Sequence, residues 1–221
     1  MGTVPFTCDM TYSERIVQFV QRFCTGTPIQ KKDARYQLRM QLRRIDLQWD
    51  DVENLGLSRA RSEAHGNSGG PGLEVVLRTL SISPEDSLLD IGAGKGGAMI
   101  TLAQWPFKRI DGIEISPNLI RIAQRNLRRL DRVRGTITQC DAADFKDLDH
   151  YNFLYMYHPF PEVVMRSVLE NVQASLSRSP RRVTLIYKNP VCHDVVIAHG
   201  FRQIKQFDHT LPPFRVYEIS C

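Results

Sequence analysis

Two spacings of apolar residues divide the chain near its seventieth position. Between Tyr12 and Phe23, the residues Ile16, Val17, Phe19, Val20 and Phe23 recur at helical intervals, with Glu14, Arg15, Gln18 and Arg22 between them. A second helix is predicted from Lys31 to Ile45, where Ala34, Leu38, Leu42 and Ile45 form an apolar stripe. Arg35, Arg39 and Arg43 form a parallel row that reads as a solvated face. Gly66-Asn67-Ser68-Gly69-Gly70-Pro71-Gly72 ends this pattern with a turn-rich joint. Beyond it, short strand-like runs (Ser87–Ile91, Ile110–Ile115, Thr136–Cys140, Tyr151–Tyr157, Val183–Tyr187) alternate with helical stretches near 97–104, 117–130, 161–176 and 190–199. This rhythm predicts a parallel sheet covered on both faces. Phe201–Phe207 and Phe214–Ile219 have no helix between them, only a short segment containing Leu211-Pro212-Pro213, so the last pair is expected to be an antiparallel hairpin.

The richest local signal is Leu88-Leu89-Asp90-Ile91-Gly92-Ala93-Gly94-Lys95-Gly96-Gly97, an apolar strand running into glycines and then into the helix-prone Ala98–Ala103. Glycines there permit a tight turn and let the backbone approach a ligand closely. Gly92-x-Gly94-x-x-Gly97 also fits dinucleotide-binding spacing, and no Gly-Lys-Ser/Thr follows to make an ATP-type phosphate loop. Two more acids sharpen the picture. Glu114 ends the next strand, where a carboxylate can accept both ribose hydroxyls of a nucleoside. Asp141 ends the third, where it can receive an exocyclic adenine amine between the apolar Ile115 and Ala142.

On these residues the chain resembles the class I S-adenosylmethionine-dependent methyltransferases, over about residues 71–221. Asp90-Ile91-Gly92-Ala93-Gly94-Lys95-Gly96 looks like their first motif, Glu114 like their ribose-binding acid and Asp141 like their adenine-binding acid. The resemblance implies an α/β fold, doubly wound, with a mostly parallel seven-stranded sheet of order 3-2-1-4-5-7-6 and an antiparallel last strand. It implies S-adenosyl-L-methionine as cofactor, with its methionine part over Gly92, Ala93 and Gly94 and its amino end near Asp90. Residues 1–70 would then be a helical cap over the active site, and 71–221 the cofactor-binding domain.

The methyl acceptor is expected at the tip of the fourth strand, in Tyr157-His158-Pro159-Phe160-Pro161. Amino-methylating relatives carry Asn or Asp, then Pro-Pro and an aromatic, at this tip. Here the polar residue is His158, which argues against a nucleic-acid or glutamine-type amine. Imidazole titrates near neutrality, so His158 is the candidate base or orienting group, with Tyr157 beside it. His65, Asn67, Pro159, Phe160 and Tyr187 complete the expected acceptor pocket, with Lys188-Asn189-Pro190 next to it.

Composition adds exclusions. Of 221 residues, 42% are hydrophobic, enough for a packed core, and no apolar run approaches the ~20 residues of a membrane helix. Neither the +5 formal charge nor the basic run Arg121, Arg125, Arg128, Arg129, Arg132 and Arg134 demands nucleic acid; the latter reads as a solubilising face. Five scattered cysteines, never in a Cys-x-x-Cys pair, fit reduced, mostly buried thiols and a cytoplasmic protein without a structural metal. The resulting expectation is methyl transfer to nitrogen, oxygen or carbon of a small molecule. A protein-lysine methyltransferase and a nicotinamide-dependent oxidoreductase are the alternatives.

Overall fold

Leu88, Leu89 and Ile91 leave no polar alternation in their strand, which therefore belongs at the centre of a sheet covered on both sides. The computed structural model puts it there, with every residue buried. It describes residues 24–25, 27–50, 55–56, 58, 60–63, 66–130, 135–210 and 212–220. The helix expected over Tyr12–Phe23 lies outside these residues, as do Cys8, His65, Arg132, Arg134, Leu211 and Cys221. In chain order the elements are α1 (Pro28–Leu42), α2 (Pro71–Leu77), β1 (Ser87–Ile91), α3 (Gly97–Leu102), β2 (Arg109–Glu114), α4 (Pro117–Arg128) and β3 (Ile137–Gln139). There follow β4 (Phe153–Tyr157), α5 (Glu162–Arg178), β5 (Arg182–Lys188), α6 (His193–Ala198), β6 (Arg202–Phe207) and β7 (Phe214–Ser220).

The seven strands form one sheet in the order β3-β2-β1-β4-β5-β7-β6. β7 runs antiparallel to both β5 and β6, while the other pairings are parallel. Alternation along the strands divides the core. Leu89, Met156 and Tyr187 face α5 and α6, whereas Leu88, Tyr155 and Ile186 face α2 and α3. Each fully buried aliphatic side chain in these layers contributes about 2 kcal/mol. Register aligns polar residues on the second face: Asp90 lies opposite Tyr155, Tyr157 opposite Lys188, and Lys188 opposite Phe214.

Helix α1 starts earlier than its apolar stripe predicts. Thr27 and Gln30 form a reciprocal capping box, and Pro28 at the first turn has no amide hydrogen to leave unpaired. The face it buries also differs: Ala34, Tyr36 and Met40 are buried, while Leu38 and Leu42 are exposed. Tyr36 lies over Gly70, where an added Cβ would sit 3.0 Å from the ring. Met40 and Ile45 pack with Ile100 of the α3 helix. The arginine row is exposed as expected, as are Arg121, Arg125, Arg128 and Arg129 on α4. Among the described cysteines, all free, Cys192 is buried, Cys140 is partly covered and Cys24 is exposed, so burial of thiols is less general than composition predicts. No helix among the described residues is long and apolar enough to cross a membrane.

A second tie between the N-terminal part and the sheet runs through Lys95. Its ammonium reaches Asp46 at 3.1 Å, Asp50 at 2.6 Å and the Gln48 carbonyl at 2.9 Å. Asn126 of α4 closes the network, donating to the Asp46 and Lys95 carbonyls and accepting from the Asp46 amide.

Candidate functional site

The β1 strand ends in a turn that holds Gly92 at φ 79° and Gly94 at φ 54°. At Gly92 an added Cβ would lie 2.5 Å from the Pro159 Cβ, so the crossing of these two loops admits only glycine. The turn is pinned by Glu114, whose Oε2 accepts from the Gly94 amide and Oε1 from the Ser116 amide, each at 2.9 Å. Burial nevertheless raises the Glu114 pKa above its ordinary value, with the backbone amides of Ser116, Gly94 and Ile115 opposing the rise.

A cleft opens at the C-terminal ends of β1, β2, β3 and β4, where a doubly wound sheet binds ligands. Gly92 and Ala93 line it from the glycine turn, Glu114 and Ile115 from β2, and Asp141 and Ala142 from beyond β3. Tyr157, Pro159 and Phe160 line it from β4. Nine residues expected from sequence thus share one cavity. Gly94 acts from the turn through its bond to Glu114. Asp90 lies beneath the turn, fully buried, with Oδ2 lacking a hydrogen-bond partner among the described residues. Burial first, and the nearby Glu114 charge second, push its pKa up to about 8.

The sequence reading missed the wall that closes this cleft: Leu55, Arg61, Ser62, Glu63, Gly66 and Ser68 also line it. Arg61 pairs with Asp141 through both Nε, at 2.9 Å, and Nη2. The Glu63 amide donates to the Pro159 carbonyl at 3.0 Å, and its carboxylate lies 3.9 Å from His158 Nε2. Nothing in the spacing of Arg61 or Glu63 marks them, because their partners are 80 and about 95 residues away.

Three other expected residues fall elsewhere. Asn67 does not line the cleft; its Oδ1 accepts from the Gly69 amide at 3.1 Å and abuts Gly97. Tyr187 is 0% exposed, because its place in the β5 alternation points it into the α5 and α6 core. Its hydroxyl lies 3.4 Å from His158 Nδ1 and accepts from the Cys192 amide at 3.4 Å. Tyr187 is therefore a support behind His158, not a wall of the cleft. His158 itself is not among the residues that line the cleft, although Tyr157 and Pro159 on either side of it are, and it has φ 33°, a left-handed backbone directly before a proline. Strain of this kind costs about 1–3 kcal/mol and persists where surrounding contacts enforce it. Burial lowers the His158 pKa, with Glu63 opposing, so the ring is held toward its neutral form.

The donor set fits an adenosine-bearing amino acid. Each Glu114 oxygen accepts one backbone bond and has lone-pair capacity left for a ribose hydroxyl. The orphan Asp90 oxygen offers a buried acceptor to an ammonium, and the Gly92 crossing leaves backbone open to close approach. Fold and cleft together have the Rossmann-like layout in which a doubly wound sheet takes ligands at its strand tips. Residues 88–179 match the family model described as a methyltransferase domain. The match covers the glycine turn, both acids and the β4 tip with a methyltransferase domain, and the fold is the one seen in solved S-adenosylmethionine-dependent methyltransferases. Among solved structures, a SAM dependent methyltransferase from Aquifex aeolicus superposes with TM-score 0.55 at 16% identity, covering 67% of this chain and 89% of that one. The ribosomal protein L11 methylase from Lactobacillus delbrueckii subsp. bulgaricus does so with TM-score 0.52 at 11% identity, covering 67% and 76%. A search of curated proteins gives no match.

Proposed function

We propose that this chain is an S-adenosylmethionine-dependent methyltransferase acting on a small molecule, and that residues 1–70 serve as a cap over its active site. One observation carries the reading: Arg61, Ser62, Glu63, Gly66 and Ser68 line the cleft together with the strand-tip residues. The Arg61–Asp141 pair and the Glu63–Pro159 hydrogen bond fasten that wall at two points. A fastened wall leaves space for a compact acceptor and obstructs a folded protein surface or a duplex.

In this reading Glu114 binds the ribose hydroxyls, and Asp141, with Ile115 and Ala142 beside it, takes the adenine. Asp90 takes the amino end of the methionine part over Gly92, Ala93 and Gly94. The cofactor supplies a sulfonium-activated methyl group. The protein's part is alignment, since holding two reactants at attack distance removes several kcal/mol of barrier. Tyr157, Pro159 and Phe160 shape the acceptor side. His158, kept toward neutrality by burial and braced by Tyr187, is the group able to take a proton from the acceptor.

Labelled S-adenosylmethionine incubated with the protein and either a metabolite extract or a proteome tests the acceptor class. Label in low-molecular-mass products is expected; label entering only protein would overturn the proposal. Once an acceptor is in hand, His158→Ala is expected to slow turnover by about 100-fold, the usual scale of a lost general base. A loss within about threefold would remove the base role, since proton transfer contributes more than that.

A further inference from the structure

We propose that Lys188 is the anion-binding residue of the acceptor subsite, so that the acceptor is an organic acid whose ionised group supplies the counter-ion that this lysine lacks among the described residues. The inference rests on the small-molecule reading above and names its substrate class.

Lys188 ends β5 beside Tyr157, and its side chain lies on the same face of the sheet as Tyr155 and Ile186. It is 8% exposed. Its ammonium stands 4.5 Å from the centre of the Tyr157 ring and 5.6 Å from that of Phe214. Among the described residues it makes one hydrogen bond, a long one of 3.5 Å to the Asn67 carbonyl. Among the described residues no carboxylate lies within ion-pair distance of it. Asp33 of α1 is the acid whose charge reaches it, and burial outweighs that help, bringing its pKa down to about 8. A buried ammonium facing two aromatic rings recovers part of its lost hydration, but a counter-ion would recover far more.

Lys188 lies against the cleft wall. Tyr157 lines the cleft, and so do Gly66 and Ser68, on either side of the Asn67 that Lys188 faces. The Tyr157 ring is held between Lys188 and Gly66, where an added Cβ would sit 3.3 Å from the ring edge. Lys188 does not itself line the cleft, and its long, flexible stem is what would carry the ammonium past the Tyr157 ring to a ligand there. The aromatic surroundings favour an acid carried on an apolar body over a fully hydrated inorganic anion. An anionic acceptor also suits the chemistry, because it brings electron density toward a positively charged sulfonium.

Calorimetric titration of the full chain, saturated with S-adenosylhomocysteine, provides the test. Benzoate is the anionic probe and benzamide its neutral counterpart of similar shape. Benzoate is expected to bind, with benzamide weaker by about tenfold or more, the scale of one charge-assisted contact. Lys188→Met is expected to weaken benzoate by a similar factor, while Lys188→Arg retains it and both variants keep their S-adenosylhomocysteine affinity. Absence of benzoate binding, equal binding of benzamide, or benzoate binding unchanged in Lys188→Met would each overturn the proposal. Should Lys188→Met not fold, the benzoate and benzamide comparison on the parent decides. Failure of the small-molecule reading shows separately, as label confined to protein.

Discussion

Lys95 and Lys188 are both buried lysines beside the same cleft, and they are treated in opposite ways. Lys95, in the glycine turn, is enclosed by two carboxylates and a carbonyl drawn from residues 46–50. Lys188, at the tip of β5, meets two aromatic rings and one distant carbonyl. The acids divide likewise: both Glu114 oxygens are occupied by backbone amides, whereas the Asp90 Oδ2 has no partner. A charge compensated within the chain holds structure together. A charge left uncompensated raises the energy of the ligand-free protein and lowers it again when a ligand completes the set.

Breaking the compensated member should have the largest effect. Lys95→Met strips Asp46 and Asp50 of their partner and unfastens residues 46–50 from the glycine turn. Those acids are about one-third exposed and partly resolvate, so a loss of about 3 kcal/mol in urea unfolding is expected. Lys188→Met should have the reverse sign, leaving the ligand-free protein as stable as the parent or more so. The pH dependence sharpens this contrast. Burial lowers the folded-state value of Lys188 from 10.5 to about 8, so between those values the unfolded chain holds more protons than the folded one. Parent stability should rise across that window by up to about 3 kcal/mol relative to Lys188→Met, read from unfolding curves at pH 8 and pH 10.

Asp90→Asn tests the uncompensated acid. The folded-state pKa of Asp90 is raised from 3.8 to about 8, so the parent loses stability as pH climbs between those values and the variant does not. By pH 8 the variant should be more stable by about 2 kcal/mol. It should also bind S-adenosylhomocysteine about tenfold more weakly, having lost a charged partner for the ligand's ammonium. Arg61→Met should have the smallest effect, since its pair with Asp141 is half in solvent. No change in thermal unfolding is expected, and the cofactor-product affinity measured by calorimetry should move by less than about tenfold.

The contrast between α1 and β1 explains how far the sequence could be read. Around β1 every local signal agrees: the apolar Leu88, Leu89 and Ile91, the glycines and the helix formers admit one arrangement, and the strand appears at its expected bounds. In α1, apolar residues occupy more than one stripe, and the helix buries the one bearing Tyr36 and Met40 because Gly70 offers a surface without a side chain. Tyr187 went inward for a similar reason: strand alternation assigns it a face, but the identity of each face depends on which helices cover the sheet.

The sequence by itself determined the strand–helix alternation, the glycine turn and the acids Glu114 and Asp141 at neighbouring strand tips, because hydrophobic period and backbone freedom are local properties of the chain, while the strand order followed only from the family resemblance that these residues carry. Only the tertiary structure decided that Arg61 and Glu63 close the cleft, that Tyr187 braces His158, and that, among the described residues, Lys95 finds carboxylates where Lys188 does not. Those facts are contacts across tens of residues, and the compensation of a buried charge depends on which distant groups the packing brings to it.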